Sequence, residues 1–401
     1  MKVAQINGGV FGSTGTIMFG IARAVAQEGG ETVCFAPVTV SNRWEQPRHP
    51  YEKIGCFQSR RVNVFLDRIT GLHGCWAVFA TWHLLRKLSK FQPDLLQLHS
   101  LHNGFVNLPM LFGYIKKHRI KTVWTLHDCW AFTGHCPHFD MVGCQKWKTG
   151  CMQCPQYRAY PKSKWDHSRY QYSAKKKWFT GVENLTLVAP SQWLADLLKD
   201  SFLKEYPVHV IHNGIDLKLF RPTPGDFREK CGCTDKFLVL GVAFGWDERK
   251  GLDVFCDLAH RLDKRKYRIV LVGMDDRTER KLPEHIITIP RTQNRVQLAE
   301  LYAAADVFVN PTREDTYPTV NMEALACGTP IVTFETGGCP EISDSRCGSV
   351  VAKNDMEGLE REIIRVCETK PYSRRACLER AQTFDEREKF MDYVNLYRSI
   401  L

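Results

Sequence analysis

The chain lacks an apolar stretch long enough to cross a bilayer. Its most apolar internal run, around Leu72 to Leu85, is broken by His73 and His83, short of the roughly 20 apolar residues a spanning helix needs. No long apolar core follows the Lys of the opening MKVAQINGG, so no secretory signal is read there and the expected location is the cytoplasm. Internal repeats and low-complexity tracts are missing as well. Acids are fewer than cations, 44 against 55, leaving a formal charge of +11. That excess suits an anionic partner, whether nucleic acid, an anionic membrane face or a phosphorylated small molecule, and equally suits ordinary solubility.

At 401 residues, 44% hydrophobic and 25% charged, the chain exceeds one core and is globular in composition. Short β-branched runs alternate with amphipathic stretches. VAQIN opens the series, and strands are expected at Thr32–Ala36, Leu95–Leu98, Thr122–Leu126 and Leu185–Ala189. The rhythm restarts at Val208–His212 and Leu238–Val242, then continues at Arg268–Gly273, Ile286–Ile289, Val307–Asn310 and Ile331–Phe334. Such alternation implies α/β units with parallel sheets and crossover helices. Two are expected: 1–195 and 196–380, with the junction somewhere around 190 to 225 and the Pro-rich RPTPGD at 221–226 marking the change, and a closing helix in 381–401. The Cys-, Lys- and Trp-rich region 129–178 breaks the rhythm and reads as an insertion.

Several strand ends carry chemistry. GGVFGSTG at 8–15 follows a strand and precedes a helix, so Gly9, Gly12, Ser13 and Gly15 let a ligand approach the backbone and helix amides. Its spacing is not G-x-G-x-x-G and it has no G-K-S/T, which argues against a standard dinucleotide site or a P-loop. His99 and the pair His127–Asp128 end two further strands, where an α/β sheet presents its binding crevice. In GWDERKG, Arg249 and Lys250 are placed to clamp a diphosphate and stabilise departing charge. TREDTYPTVNMEALACGTP supplies Glu314, Asp315 and Thr316 in a loop and Glu323 on the helix that follows, while Gly337 and Gly338 make another tight turn. Each loop has a purely structural explanation; three converging strand ends suggest one anionic ligand.

Cys136, Cys144, Cys151 and Cys154 stand out among 16 scattered cysteines. In a reducing compartment a tight cluster points to metal rather than disulfides, and a closed structural zinc, or an iron–sulfur centre, would brace the insertion. His135 and His138 are reserve ligands, and free buried thiols are the alternative. The stretch 158–178, with Lys162, Lys164, Trp165, Arg169, Lys175, Lys176, Lys177 and Trp178, reads either as a docking face for anionic lipid or as a solvated helix face.

In order along the chain, the glycine loop, HNGIDLKLFRP, RKG, the acids around MEALACGTP, and GGCPEI resemble glycosyltransferase family four. The first half, with PDLLQLHSLHNGFVN and TLHDCWAFTGHC, is similar to a subgroup of bacterial exopolysaccharide and O-antigen assembly. The resemblance implies the GT-B fold, two Rossmann-like domains with a cleft between them. It implies a retaining enzyme that needs no metal for catalysis and moves a sugar from a nucleotide-diphosphate donor to a lipid-linked or glycan acceptor, with no nucleic-acid partner, cytoplasmic or peripheral on the inner membrane face. Carried over, His127 lies beside the transferred sugar, Lys250 binds the diphosphate, and Asp315 and Glu323 form the acidic pair. Where the family has Glu at the first acid, this chain has Asp315, with Glu314 beside it. The family's Arg normally precedes the Lys by several residues; only Arg249 is near. Two rival readings are a sugar-nucleotide epimerase of the same fold and a zinc-containing nucleic-acid binder. The second leaves the acids and glycine turns unexplained.

Overall fold

The structure is a computed structural model and describes residues 1–44, 49–275, 278, 282–290 and 294–401. It forms two compact units, one of Met1–His212 with Arg387–Leu401, the other of Asn213–Glu386.

The first unit is built on β1 (Lys2–Ile6), β2 (Glu31–Pro37), β3 (Glu52–Ile54), β4 (Leu95–Leu98), β5 (Lys121–Thr125), β6 (Leu185–Ala189) and β7 (Val208–Val210). They pair in the order β3-β2-β1-β4-β5-β6-β7, all parallel. Every residue of β4 and β6 is buried, as expected where helices cover both faces of a sheet. The helices are α1 (Gly12–Gln27), α2 (Val40–Trp44), α3 (Phe57–Thr70), α4 (Val78–Phe91), α5 (Leu108–His118), α6 (Ser168–Phe179) and α7 (Gln192–Lys199). The break falls after His212 rather than near 195, because β7 pairs with β6 and stays in the first sheet.

The second unit holds β8 (Phe237–Val242), β9 (Tyr267–Met274), β10 (Ile286–Pro290), β11 (Val307–Asn310), β12 (Ile331–Phe334) and β13 (Gly348–Val351), in the order β10-β9-β8-β11-β12-β13. That order repeats the first six strands of the other sheet. Its helices are α8 (Phe227–Lys230), α9 (Leu252–Arg261), α10 (Arg295–Ala304), α11 (Thr319–Ala326), α12 (Met356–Thr369) and α13 (Arg374–Gln382). A last helix, α14 (Glu386–Ile400), adds Phe390, Tyr393, Val394 and Tyr397 to a core cluster of the first unit with Val3, Leu95 and Val123. In each sheet the strand order reverses beside the first strand, between β1 and β4 and between β8 and β11. A crevice for ligand opens at such a point.

The sequence pattern omits β3 and β13. Both are edge strands whose residues EKI and GSVV alternate charge or small polar groups with few apolar ones. α1 starts at Gly12, so Ser13 and Gly15 belong to its first turn.

Candidate active site

In the second unit the loops leaving β8, β11 and β12 are locked together by glycine. Gly251 has φ +76, and a Cβ there would lie 2.5 Å from the Pro311 carbonyl oxygen. Gly337 has φ +54, and a Cβ there would lie 1.7 Å from the Asp315 carbonyl oxygen. Only a residue with no side chain fits either contact. The Asp247 side chain accepts from the Lys250 amide at 2.9 Å and fixes the single turn before α9. Lys250 then reaches across, its Nζ 2.6 Å from Asp315 Oδ2, with both side chains about one-fifth exposed. The Arg313 amide donates to the Arg249 carbonyl at 2.8 Å, and the Arg313 guanidinium grips Asp253 at 2.8 and 2.7 Å. The β8 and β11 loops are thereby pinned a second time.

The neighbouring acids part company. Glu314 is 4% exposed and offers its backbone carbonyl to Arg249 Nη1 at 3.4 Å and to the Thr312 hydroxyl at 3.2 Å. Asp315 is the acid whose carboxylate meets Lys250. Thr316 is buried, and Gly338 leads into the short turn Cys339–Glu341. Glu323 lies about 6 Å along α11 from its first residue at 1.5 Å per residue. Its carboxylate accepts from the Tyr302 hydroxyl at 3.0 Å. Burial pushes its pKa up to about 7, opposed by that hydrogen bond and by Arg295. Tyr302 and Arg295, both on α10, carry no sequence signal as site residues.

In the first unit the glycine loop is tied down by Asn7, which is fully buried. Its Nδ2 donates to the Gly9 carbonyl at 2.8 Å and its Oδ1 accepts from the Gly8 amide at 2.9 Å. Gly15 has no room for a Cβ, which would sit 2.5 Å from Val10 backbone atoms, while Gly12 and Ser13 are exposed at the start of α1. No side chain caps that helix start.

The ends of β4 and β5 bring four polar residues into two linked pairs. Gln5 Nε2 donates to the Met18 carbonyl at 2.9 Å, so its Oε1 faces His99 Nε2 at 3.1 Å. An amide oxygen only accepts, which puts the His99 proton on Nε2. His99 Nδ1 is then the acceptor for His127 Nε2 at 3.2 Å, the two rings stacked with centroids 5.5 Å apart. Burial holds both imidazoles neutral: His99 falls well below its usual value, and His127 to about 4 although Asp128 works against it. His102 Nε2 lies 3.0 Å from Asp128, and its Nδ1 lies 2.9 Å from the Tyr160 hydroxyl. Burial pushes the Asp128 carboxyl up, but the charge and hydrogen bond of His102 outweigh it and hold the group at about 2. Gln5 and Tyr160 were not legible as site residues. Gln5 is hidden in an apolar strand, and Tyr160 reaches the site from the insertion.

Four cysteines of the insertion, Cys136, Cys144, Cys151 and Cys154, line one pocket together with His135. The hydrogen bond between Cys136 and Cys154, then burial, pushes the Cys136 thiol up; the same bond lowers Cys154. Cys151 accepts from the Gly134 amide at 3.1 Å. Among the described residues no three His, Cys, Asp or Glu side chains form a group that could hold a metal ion. Lys175, expected on a solvent-facing docking surface, is instead 1% exposed. Its Nζ donates to the carbonyls of Trp130 at 2.7 Å and Thr133 at 3.1 Å and sits 3.5 Å from the centroid of the Trp130 ring. Burial lowers its pKa to about 7. It braces the insertion from inside.

The model of glycosyltransferase family 4 matches residues 14–219, just over half the chain. The chain belongs to glycosyltransferase family 4. A second model, glycosyl transferases group 1, matches residues 235–369 of this family 4 chain. An Escherichia coli K12 protein, WcaC, named as a glycosyl transferase of colanic acid biosynthesis, is 27% identical over 66% of the chain. The match spans 65% of WcaC and between 37% and 51% of the next curated relatives. Among solved structures, sucrose-phosphate synthase from Thermosynechococcus elongatus covers 100% of the chain and matches over 98% of its own, at TM-score 0.73 and 18% identity. HepE of Anabaena in complex with UDP-glucose covers 100% of both chains at TM-score 0.69 and 15% identity. These likenesses establish for the family 4 chain the GT-B fold of two Rossmann-like domains. Among its described residues no helix is long and apolar enough to cross a membrane.

Proposed function

We propose that this chain is a retaining glycosyltransferase of bacterial surface-polysaccharide assembly. It moves a sugar from a nucleoside-diphosphate donor to a lipid-linked or glycan acceptor. The observation that carries the reading is the trio of glycine-locked loops around the Lys250–Asp315 pair. The kinship with WcaC and the UDP-glucose held by HepE support the substrate class.

The bond between the anomeric carbon and the diphosphate oxygen breaks through an oxocarbenium-like transition state. Charge grows on the leaving diphosphate, where Lys250, Arg249 and the first turn of α11 stabilise it. As phosphate arrives, Lys250 exchanges Asp315 for the diphosphate, and the freed carboxylate of Asp315 accepts hydrogen bonds from the sugar. Glu323 takes the ribose hydroxyls, with Thr316, Gly337 and Gly338 beside the phosphates. His127, neutral and oriented through His99, touches the transferred sugar; Asp128 and the glycine loop of Gly9, Gly12, Ser13 and Gly15 serve the acceptor side. Attack comes from the face the phosphate leaves, and a phosphate oxygen takes the acceptor's proton. Configuration is thereby retained.

Replacing Lys250 with Ala tests the reading. Turnover should fall by roughly 10²–10³, the loss typical of removing one preorganised charge-stabilising donor. Near-normal transfer removes Lys250 from the reaction. Release of an altered sugar without acceptor replaces transfer by epimerisation.

We also propose Cys136, Cys144, Cys151 and Cys154 as ligands of a structural zinc, supported by their shared pocket; the thiols must draw together to bind it. About one zinc per untagged chain is the expected result, with Cys151→Ser releasing it. A metal-free, fully folded chain overturns this assignment.

A further inference from the structure

The first unit carries an apolar surface that its own core does not explain. On α3 the outward face holds Val62, Phe65 and Ile69, at spacings of three and four, and all three are exposed, Phe65 to 59%. Arg61 and Arg68 flank that stripe, and the helix's single acid, Asp67, points into the core. On α4 the first turn exposes Val78, Phe79 and Trp82, with Phe79 83% exposed. The later turns of the same face carry Arg86, Lys87 and Lys90, and α4 contains no acid at all. Lys87 meets Glu52 at 2.6 Å, and Arg86 lies over the Trp82 ring at 4.8 Å.

These residues form one surface. The two helices start at a common point, since a Cβ on Gly55 would be 3.1 Å from Ala80 and 3.2 Å from Ser59. Beyond α3's first turn, the Arg43 guanidinium sits 4.7 Å from the rings of both Phe57 and Trp44, and Trp44 is 80% exposed. At α3's far end, the Lys164 amide donates to the Arg68 carbonyl at 2.6 Å, next to the exposed Trp165. The second unit offers no counterpart among its described residues. Its large exposed apolar side chains, Phe244, Val296 and Val350, belong to separate elements.

We propose that the outward faces of α3 and α4 dock this chain on an anionic lipid bilayer. A row of Phe, Trp and branched aliphatic side chains, edged by Arg and Lys on two surface helices that themselves carry no exposed acid, has the make-up of an interfacial membrane helix, with Glu52 of β3 beside Lys87 as the neighbouring exposed acid. The aromatic rings enter the boundary between headgroup and acyl chain, and the guanidinium groups stay at headgroup phosphates. The excess positive charge of the chain complements an anionic leaflet. The inference deepens the acceptor side of the proposed function, for a docked enzyme meets a lipid-linked acceptor at its own depth.

The test is flotation of the full chain with vesicles of phosphatidylcholine alone or with roughly one-third phosphatidylglycerol added, whose negative surface potential attracts basic segments. The wild-type chain should float with the anionic vesicles and be released as salt rises. The double variant Phe65→Ser with Phe79→Ser should bind at least roughly tenfold more weakly. Arg61→Gln with Arg68→Gln should cost about thirtyfold, from two cations near the surface. Each variant should keep the wild-type Tm and its turnover on a soluble acceptor, since none lies in the reacting site. Wild-type binding that ignores anionic lipid, or variants that bind unchanged, overturns the proposal. So does a stable dimer that dissociates on Phe65→Ser with Phe79→Ser, because the occupant would then be a second copy. Loss of turnover with vesicle binding intact would instead count against the glycosyltransferase reading alone.

Discussion

The two units share a strand order but handle buried charge in opposite ways. The first suppresses cationic imidazoles: His73, His99, His127 and His135 all have depressed pKa values, burial being the first cause of each. The second suppresses an anion, with Glu323 held protonated up to about pH 7, and keeps its half-buried cation Lys250 paired with Asp315. Their first glycine loops differ as well. In the first unit Gly15 packs against Val10 of its own loop and Gly12 has φ +79 with nothing within 4 Å, whereas Gly251 and Gly337 are clamped against other loops. One scaffold thus carries a site of neutral imidazoles around an ionised Asp128 and a site whose buried acid Glu323 is held protonated, and the difference lies in the loops rather than in the sheet.

The contrast between open and clamped loops breaks most severely at Gly337. Gly337→Ala forces both a left-handed alanine and an overlap with Asp315, so it should destabilise the second unit by about 3 kcal/mol or more and abolish donor-dependent stabilisation. Gly12→Ala meets only the backbone cost, about 1–2 kcal/mol. Urea unfolding of both variants reads the difference, and equal losses would mean the clamp is unimportant. Lys175→Met comes next. It strands the carbonyls of Trp130 and Thr133 in the interior, at about 2 kcal/mol, and should leave donor affinity untouched in a thermal-shift titration.

pH should pull the units apart. Groups with lowered imidazole pKa contribute stability above pH 6.5, and that stability is lost as pH falls through the folded values, about 4 for His127 and His135 and about 3 for His73. Asp67, raised to about 7 by burial, works the other way in the first unit but stands against four imidazoles. Glu323 contributes stability below its unfolded value of 4.5, and that stability is lost as pH rises through about 7. Hydrogen exchange at pH 5 and 7.5 should therefore show the first unit opening more readily at the acid end and α11 at the neutral end. Parallel behaviour of both would refute the comparison. The smallest effect is Tyr160→Phe. It removes one hydroxyl from His102 and Asn103, costing about 1 kcal/mol, and should slow acceptor use while leaving donor affinity alone.

The sheets were legible wherever a strand is buried on both faces, because LLQL, LTLVA and VFVN leave no other reading. Of the edge strands, β7 and β10 were legible from their β-branched runs, whereas β3 and β13 escaped because EKI and GSVV carry few apolar residues. The two-His and two-acid constellations were legible because their residues follow strand ends, with Glu323 one turn into the helix after such a loop. Gln5, Tyr160 and Tyr302 were not, for each acts through a fold contact between residues more than twenty positions apart. Within 158–178, Lys162, Lys164, Trp165, Arg169, Lys176 and Lys177 are exposed as expected, and of its cations Lys175 alone is buried, because composition cannot tell a lysine that faces water from one that crosses the core to reach two carbonyls.

The placement of α14 has a consequence for biogenesis. Gly20 has space only for hydrogen because the Phe390 ring lies where a Cβ would be, 2.1 Å away, and the Tyr397 hydroxyl donates to Gln97 in the middle of the sheet at 2.8 Å. The sheet of the first unit is therefore roofed by a helix that is made only after the whole second unit. On the ribosome, residues 1–212 must wait with one flank bare until 387–401 emerge, and a nascent chain halted before that point should remain a client of chaperones.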